Sequence, residues 1–177
     1  MTRTELEHAI RAVCDLTDEH EVIVFGSQAI LAEHPDAPPE LRQSAEADIS
    51  PLDKAKADLI DGVLGDGSQF HRTHGFYVHG LPIDEAATLP DGWRSRTYAL
   101  QNANTRNNIG RCVESHDLAA SKLVAFRPKD LDFVRVLIVR QMIKPRTLIT
   151  RLRRLPVAQD VIDRAIQWVD TTVKAAS

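Results

Sequence analysis

At 177 residues, with 43% hydrophobic and 27% charged side chains, the chain has the size and composition of one ordinary globular domain with room for a helical appendage. No apolar run approaches the ~20 residues of a membrane span, the first residues lead into an amphipathic pattern without a signal-peptide core, and Cys14 and Cys112 match no metal-ligand spacing; the expectation is a soluble, cytoplasmic protein with two buried reduced thiols and no membrane partner. The net charge of −3 hides an asymmetry, because residues 1–132 carry 22 acidic and 13 basic side chains whereas 133–159 hold seven basic residues and no acidic one.

In chain order, Leu6, Ala9, Ile10, Val13 and Leu16 recur at helical spacing, which predicts an amphipathic helix over about residues 4–19 capped by a threonine. Residues 21–25, Glu-Val-Ile-Val-Phe, form an apolar β-branched run ending at Gly26, as a buried strand does, and helix-compatible residues 28–33 follow. Prolines mark 34–39 as a loop. Residues 45–49 alternate small or apolar with acidic side chains, the pattern of a half-exposed strand, and 52–64 reads as a helix with Leu59, Ile60, Val63 and Leu64 on one side, closed by Gly65 and Gly67. Strands are predicted at 75–79, 96–101 and 109–113, separated by turn-prone stretches at 89–93 and 102–108. From Ser115 onward the pattern is helical: a helix capped by Ser115 or Asp117 and running to Ala125, a second opened by Pro128 and reaching about Met142, a third opened by Pro145, and a fourth over 157–175 with Trp168 on its core side. The layout is α/β (α+β), with a mixed-sheet core over residues 1–115 and a helical part of the same compact unit over 116–177.

Three groups of residues carry chemistry. Gly26-Ser27 lies between a buried strand and a helix start, where a glycine lets the backbone approach a phosphate and helix N–H groups offer positive potential, although a lone Gly-Ser after a strand is usually just a turn. Glu46 and Asp48, two apart on a strand, point to one face. Adjacent carboxylates repel unless a cation joins them, and hard oxygen ligands of this kind suit Mg²⁺ with substrate phosphates; the plainer alternative is an acidic strand edge that discourages aggregation. Lys122 sits on a largely apolar helix face, and Asp130 and Asp132 lie in the first turn of the Pro128 helix, close in sequence to Arg127. The basic side chains Arg140, Lys144, Arg146, Arg151, Arg153 and Arg154 offer either a landing surface for RNA phosphates or a solvated helix face. His71 and His74 lack the partners of a zinc site, and Trp93 and Arg96 read as structural.

Gly26-Ser27 followed by Arg42-x-Ser44-x-Glu46-x-Asp48 resembles the Gly-Ser…Asp-x-Asp signature of the polymerase-β-type nucleotidyltransferases. The pieces Leu89-Pro-x-Gly-Trp93-x-x-Arg96, His116-Asp-Leu-x-x-Ser-Lys122-Leu-x-Ala125 and Arg127-x-Lys-Asp130 extend the resemblance to small bacterial members related to the AbiEii and MenT toxins of toxin–antitoxin systems. The resemblance implies that Gly26 and Ser27 hold a nucleoside triphosphate, Glu46 and Asp48 bind Mg²⁺ or Mn²⁺, Lys122 contacts phosphate and Asp130 completes the active centre. It implies nucleotide transfer to RNA such as tRNA, or to protein, and a cognate antitoxin or toxin as partner. The first acid is Glu rather than Asp, the spacing from Ser27 to Glu46 is longer than the signature, and a third carboxylate would have to be Asp84 or Glu114. These departures leave a second reading, a catalytically inert binding module or antitoxin-like partner on the same fold.

Overall fold

The computed structural model describes residues 1–176. Helix α1 (Arg3–Thr17) begins at Thr2, whose hydroxyl accepts from Glu5 N while the Glu5 carboxylate accepts from Thr2 N, a reciprocal cap. Its apolar stripe, Leu6, Ala9, Ile10, Val13 and Cys14, is buried. Strand β1 (Glu21–Phe25) is apolar over four consecutive residues because it is central in a five-stranded sheet of order β3-β2-β1-β5-β4. It runs antiparallel to β2 (Glu46–Ser50) and parallel to β5 (Ile109–Cys112). β3 (Tyr77–Gly80) extends the sheet parallel to β2, and β4 (Tyr98–Leu100) closes the other edge antiparallel to β5. The fold is thus α+β on a mixed sheet, as expected of a nucleotidyltransferase-like core.

The segment after β1 is shorter in its helical content than predicted. Ser27–Ala29 is a 3-10 turn and α2 (Ile30–Glu33) is a single turn, its last carbonyls taken by Arg3, whose guanidinium donates to Leu31 O and Ala32 O at 2.8 and 3.0 Å. With so few aligned peptides, the dipole expected behind Gly26-Ser27 is largely absent. The predicted helix over 52–64 resolves into a 3-10 turn, Lys54–Lys56, and α3 (Ala57–Leu64). Its buried edge is Ala57, Ile60 and Leu64, whereas Leu59 and Val63, expected on the apolar side, are 46% and 45% exposed. The cause is Gly80 on β3: a Cβ there would stand 2.4 Å from Ala57 O and 2.7 Å from Ile60 Cβ, so the helix seats its Ile60 edge on the sheet and turns Leu59 and Val63 outward. α1 packs against α3 and the sheet, so both helices cover one face.

Two short helices, α4 (Gln69–His74) and α5 (Ile83–Ala86), flank β3 and were not predicted. α4 is capped by Ser68, and His74 at its end rests edge-on to His8 and tilted against Phe70 and Phe76. The residues predicted as a strand over 96–101 form strand only from Tyr98, because Trp93–Arg96 winds into a 3-10 turn that aims Arg96 at a buried acid described below.

Two compact units divide the chain: residues Met1–Ala87 with Thr97–Val113, and residues Thr88–Arg96 with Glu114 onward. The second is helical: α6 (Ser115–Ala125), α7 (Pro128–Val139), α8 (Pro145–Leu152) and α9 (Gln159–Ala176). The cap of α6 is Glu114, whose carboxylate accepts from Asp117 N at 3.2 Å, instead of Ser115 or Asp117, which are both buried within the helix. α7 ends three residues short of Met142, in a turn where Gln141 takes φ 56°. Trp168, read as core, is half-buried, with the Arg135 guanidinium 5.9 Å from its ring. Cys14 and Cys112 are free and buried, and burial pushes both thiols up to about 12, which leaves them unreactive at neutral pH.

Candidate metal centre

The alternation of β2 turns Ala47 and Ile49 to the helix-covered face and Glu46 and Asp48 to the other, half-exposed one. The parallel register places Tyr77 beside Glu46 and His79 beside Asp48. Three donors therefore converge: His79 Nδ1 lies 3.0 Å from Glu46 Oε1 and 3.6 Å from Asp48 Oδ1. Glu46, Asp48 and His79 each offer a ligand atom, all within 4.8 Å of one another, and they form the one such group among the described residues. Tyr77 donates its hydroxyl to Glu46 Oε2 at 3.3 Å. Burial first, and then the Glu46 charge, push the Tyr77 phenol up, so it remains a donor that fixes the glutamate rotamer.

Gly26 closes the centre from β1. Phe25 is in register with Asp48, and the chain leaves β1 through Gly26 at φ 68°. A Cβ at Gly26 would stand 1.8 Å from Asp48 Oδ2, so the carboxylate rests on the bare Cα. The Gly-Ser of the sequence pattern is thus needed by the acid pair itself, independent of any helix behind it. Ser27 follows, half-exposed.

Lys122, Asp130 and the basic residues marked for RNA lie in the second unit. Asp130 is 1% exposed and takes Arg127 Nε at 2.6 Å and Lys122 Nζ at 3.3 Å. Burial would raise its pKa, but Arg127 and Lys122 outweigh that and hold the carboxyl below the usual range. The Lys122 ammonium also stands 4.5 Å from the centre of the Phe133 ring. Asp117, fully buried, receives Arg96 Nε and a second Arg96 nitrogen at 2.8 and 3.1 Å, and Arg151 Nε lies 3.1 Å away without the alignment of a hydrogen bond. His116 contacts Glu114 through Nδ1 and accepts from Lys144 N at Nε2, 2.9 Å. Of the six basic residues marked for RNA, Arg140, Lys144, Arg146, Arg153 and Arg154 are exposed, while Arg151 is half-buried against Asp117.

A family model described as a nucleotidyltransferase of unknown function, DUF6036, matches residues 4–160, most of the chain. The chain belongs to this nucleotidyltransferase family. No curated protein and no solved structure matches it. Among the described residues no helix is long and apolar enough to cross a membrane.

The donors present fit the divalent ion that such a family uses. Two ligands at about 2.1 Å from one octahedral ion, at right angles, stand about 3.0 Å apart, close to the His79–Glu46 spacing of 3.0 Å and short of the His79–Asp48 spacing of 3.6 Å. The sequence reading found the two acids and missed His79, looking instead for a third carboxylate. Asp84 is paired with Lys54 at 2.9 Å on the surface, and Glu114 caps α6. The signal for His79 was its place two residues after Tyr77 in a predicted strand; what the sequence lacked was the β2–β3 register that sets it beside Asp48.

Gly26→Ala provides a direct check on this geometry. Both the positive φ and the collision with Asp48 are expected to cost about 1–3 kcal/mol, and the displaced carboxylate is expected to lose the divalent-ion response of the melting temperature. Unfolding curves with and without Mn²⁺ measure both; a variant that melts and responds like wild type would refute the contact.

Proposed function

We propose that the chain is an active, metal-dependent nucleotidyltransferase that moves a nucleotide from a nucleoside triphosphate to an RNA acceptor such as tRNA. The observation that carries this reading is the Glu46–Asp48 pair, set on a half-exposed sheet face and held against the Cα of Gly26. Two carboxylates at this spacing repel each other and would repel a triphosphate, so their chemistry makes sense around a cation. When bound, a divalent ion supplies Lewis-acid stabilisation of the phosphoryl oxygens and lowers the pKa of the attacking hydroxyl.

The residues of the chain have separate tasks. Glu46 and Asp48 hold the ion, and Tyr77 holds Glu46. Gly26 leaves the space that the Asp48 carboxylate fills, and the Ser27 hydroxyl is assigned to a phosphate oxygen in this proposal. Lys122 pairs with the buried Asp130, which Arg127 also holds, and it takes no chemical step in this proposal. The substitution of Glu for Asp at position 46 is accommodated by the Tyr77 hydrogen bond, which orients the longer side chain. This supports an active centre over an inert module. The order of the motifs supports kinship with the AbiEii and MenT toxins, and with it a cognate antitoxin.

The test is transfer of label from each nucleoside triphosphate in turn to total tRNA, in Mg²⁺ or Mn²⁺. Labelled RNA formed by wild type and lost in Asp48→Ala is the expected outcome. Label on protein alone would reassign the acceptor, and no transfer together with no triphosphate binding would favour the inert module. For the RNA itself, Arg140, Lys144, Arg146, Arg153 and Arg154 are the proposed contacts. If all five meet phosphates of single-stranded RNA, affinity falls about a hundredfold between 50 and 200 mM salt. A flat salt titration by filter binding would remove this surface from the proposal.

A further inference from the structure

We infer that His79 is a direct ligand of the metal through Nδ1, and that this nitrogen makes the centre select Mn²⁺ over Mg²⁺. The inference rests on the carboxylate centre proposed above and goes beyond it by naming a third ligand and the ion it favours.

His79 belongs to β3, one strand beyond the acid pair, and the parallel pairing sets it directly beside Asp48. Its Nδ1 faces both carboxylates, at 3.0 Å from Glu46 Oε1 and 3.6 Å from Asp48 Oδ1. One nitrogen thus faces both members of the acid pair, as a third ligand of a shared ion must. All three side chains are half-exposed, so an ion that enters retains room for water and phosphate oxygens. With Nδ1 on the ion, the ring proton resides on Nε2, the neutral form that ligation requires.

The donor set then decides the ion. Mg²⁺ dehydrates reluctantly and is usually bound through carboxylates and phosphate, with several waters retained. Imidazole nitrogen favours first-row transition ions, whereas carboxylates and phosphates suit Mg²⁺, Ca²⁺ and Mn²⁺. Of Mg²⁺ and Mn²⁺, which both suit carboxylate and phosphate oxygens, Mn²⁺ is the transition ion and gains more from a nitrogen donor. Tyr77, with its hydroxyl on Glu46 Oε2, leaves Oε1 as the oxygen facing His79 and the ion.

Pulsed EPR of the full chain loaded with Mn²⁺, alone and with inorganic tripolyphosphate, reads the ligand set without any turnover. The expected result is a nitrogen coupling that changes when histidine is labelled with ¹⁵N and disappears in both Asp48→Asn and His79→Gln. Titration calorimetry should give Mn²⁺ affinity at least about tenfold above that for Mg²⁺, with His79→Gln weakening Mn²⁺ by about 10–100-fold and Mg²⁺ far less. The ¹⁵N comparison on wild type stands even if the His79 variant fails to fold. Mn²⁺ bound in an Asp48-dependent manner without nitrogen coupling would overturn the inference and leave the carboxylate centre intact. No saturable binding of either ion, with or without tripolyphosphate, would overturn the centre and the inference together.

Discussion

Asp48→Asn is expected to lower nucleotide transfer at least about a hundredfold, since it removes a charged ligand from the ion that organises the phosphates. The same change is expected to leave the fold intact. Asp48 lies two residues from Glu46 on the same strand face, so neutralising it relieves repulsion between like charges. Asparagine keeps the shape of the side chain, and the 3.6 Å contact with the half-exposed His79 that loses its charge is worth little. The melting temperature without metal should stay within about 4 °C of wild type, equivalent to about 1 kcal/mol. Adding Mn²⁺ or Mg²⁺ should raise it in wild type by mass action and leave the variant unmoved. Activity lost with the fold retained would separate a catalytic carboxylate from a structural one. An Asp48→Asn variant that turned over within a few-fold of wild type would place the chemistry elsewhere.

Arg96→Ala should produce the opposite pattern, a large loss of stability from a residue that carries no chemical step. Asp117 is fully buried, and Arg96 is its bidentate partner. Removing it leaves Arg151 alone beside the charge, in an ion pair without hydrogen-bond alignment. Breaking a buried pair from one side costs about 3–5 kcal/mol, or about 6–20 °C in melting temperature for a chain of this size. The loss has a definite pH dependence. Burial already pushes the Asp117 carboxyl up against the pull of Arg96 and Arg151, and without Arg96 it rises further. A carboxyl whose folded pKa lies above its unfolded value binds more protons in the folded state, so its cost is full at neutral pH and relaxes as pH falls through the folded pKa. The gap between variant and wild type should therefore be widest at neutral pH and narrow as the pH is lowered through the folded pKa of the carboxyl. A gap that is constant with pH would mean that the loss comes from packing rather than from the stranded charge.

These two sites divide the sequence pattern into parts with different meanings. Gly26, Glu46 and Asp48 meet at one place, and the glycine is required because the aspartate lies on it. Arg96 and His116-Asp117, which also belong to the pattern, build the interior of the second unit, with Arg96 on Asp117 and His116 bridging Glu114 and the Lys144 amide. At the start of α7 the buried Asp130 is held by Lys122 and by the exposed Arg127. A residue that recurs in a pattern of this kind can therefore mark a buried ion pair as readily as a ligand, and burial distinguishes the two: Asp117 and Asp130 are 0% and 1% exposed, whereas the Glu46 and Asp48 side chains are 32% and 24% exposed.

The amino-acid sequence alone determined the elements with strong local signals. The four-residue apolar run of β1, the capped stripe of α1, the acid alternation of β2 and the proline-opened helices α7 and α8 all follow from periodicity and turn chemistry, which act between near neighbours in the chain. So did the carboxylate pair, because residues two apart on a strand must share a face. Only the tertiary structure decided the rest. Leu59 and Val63 face outward because Gly80, on another element, accepts Ile60. Arg151, one of several similar basic residues in sequence, is withdrawn to Asp117 by a contact across 34 positions. His79 joins the acids because β3 pairs with β2 in parallel and in this register, and register is set by packing between strands far apart in the chain, which no spacing within either strand encodes.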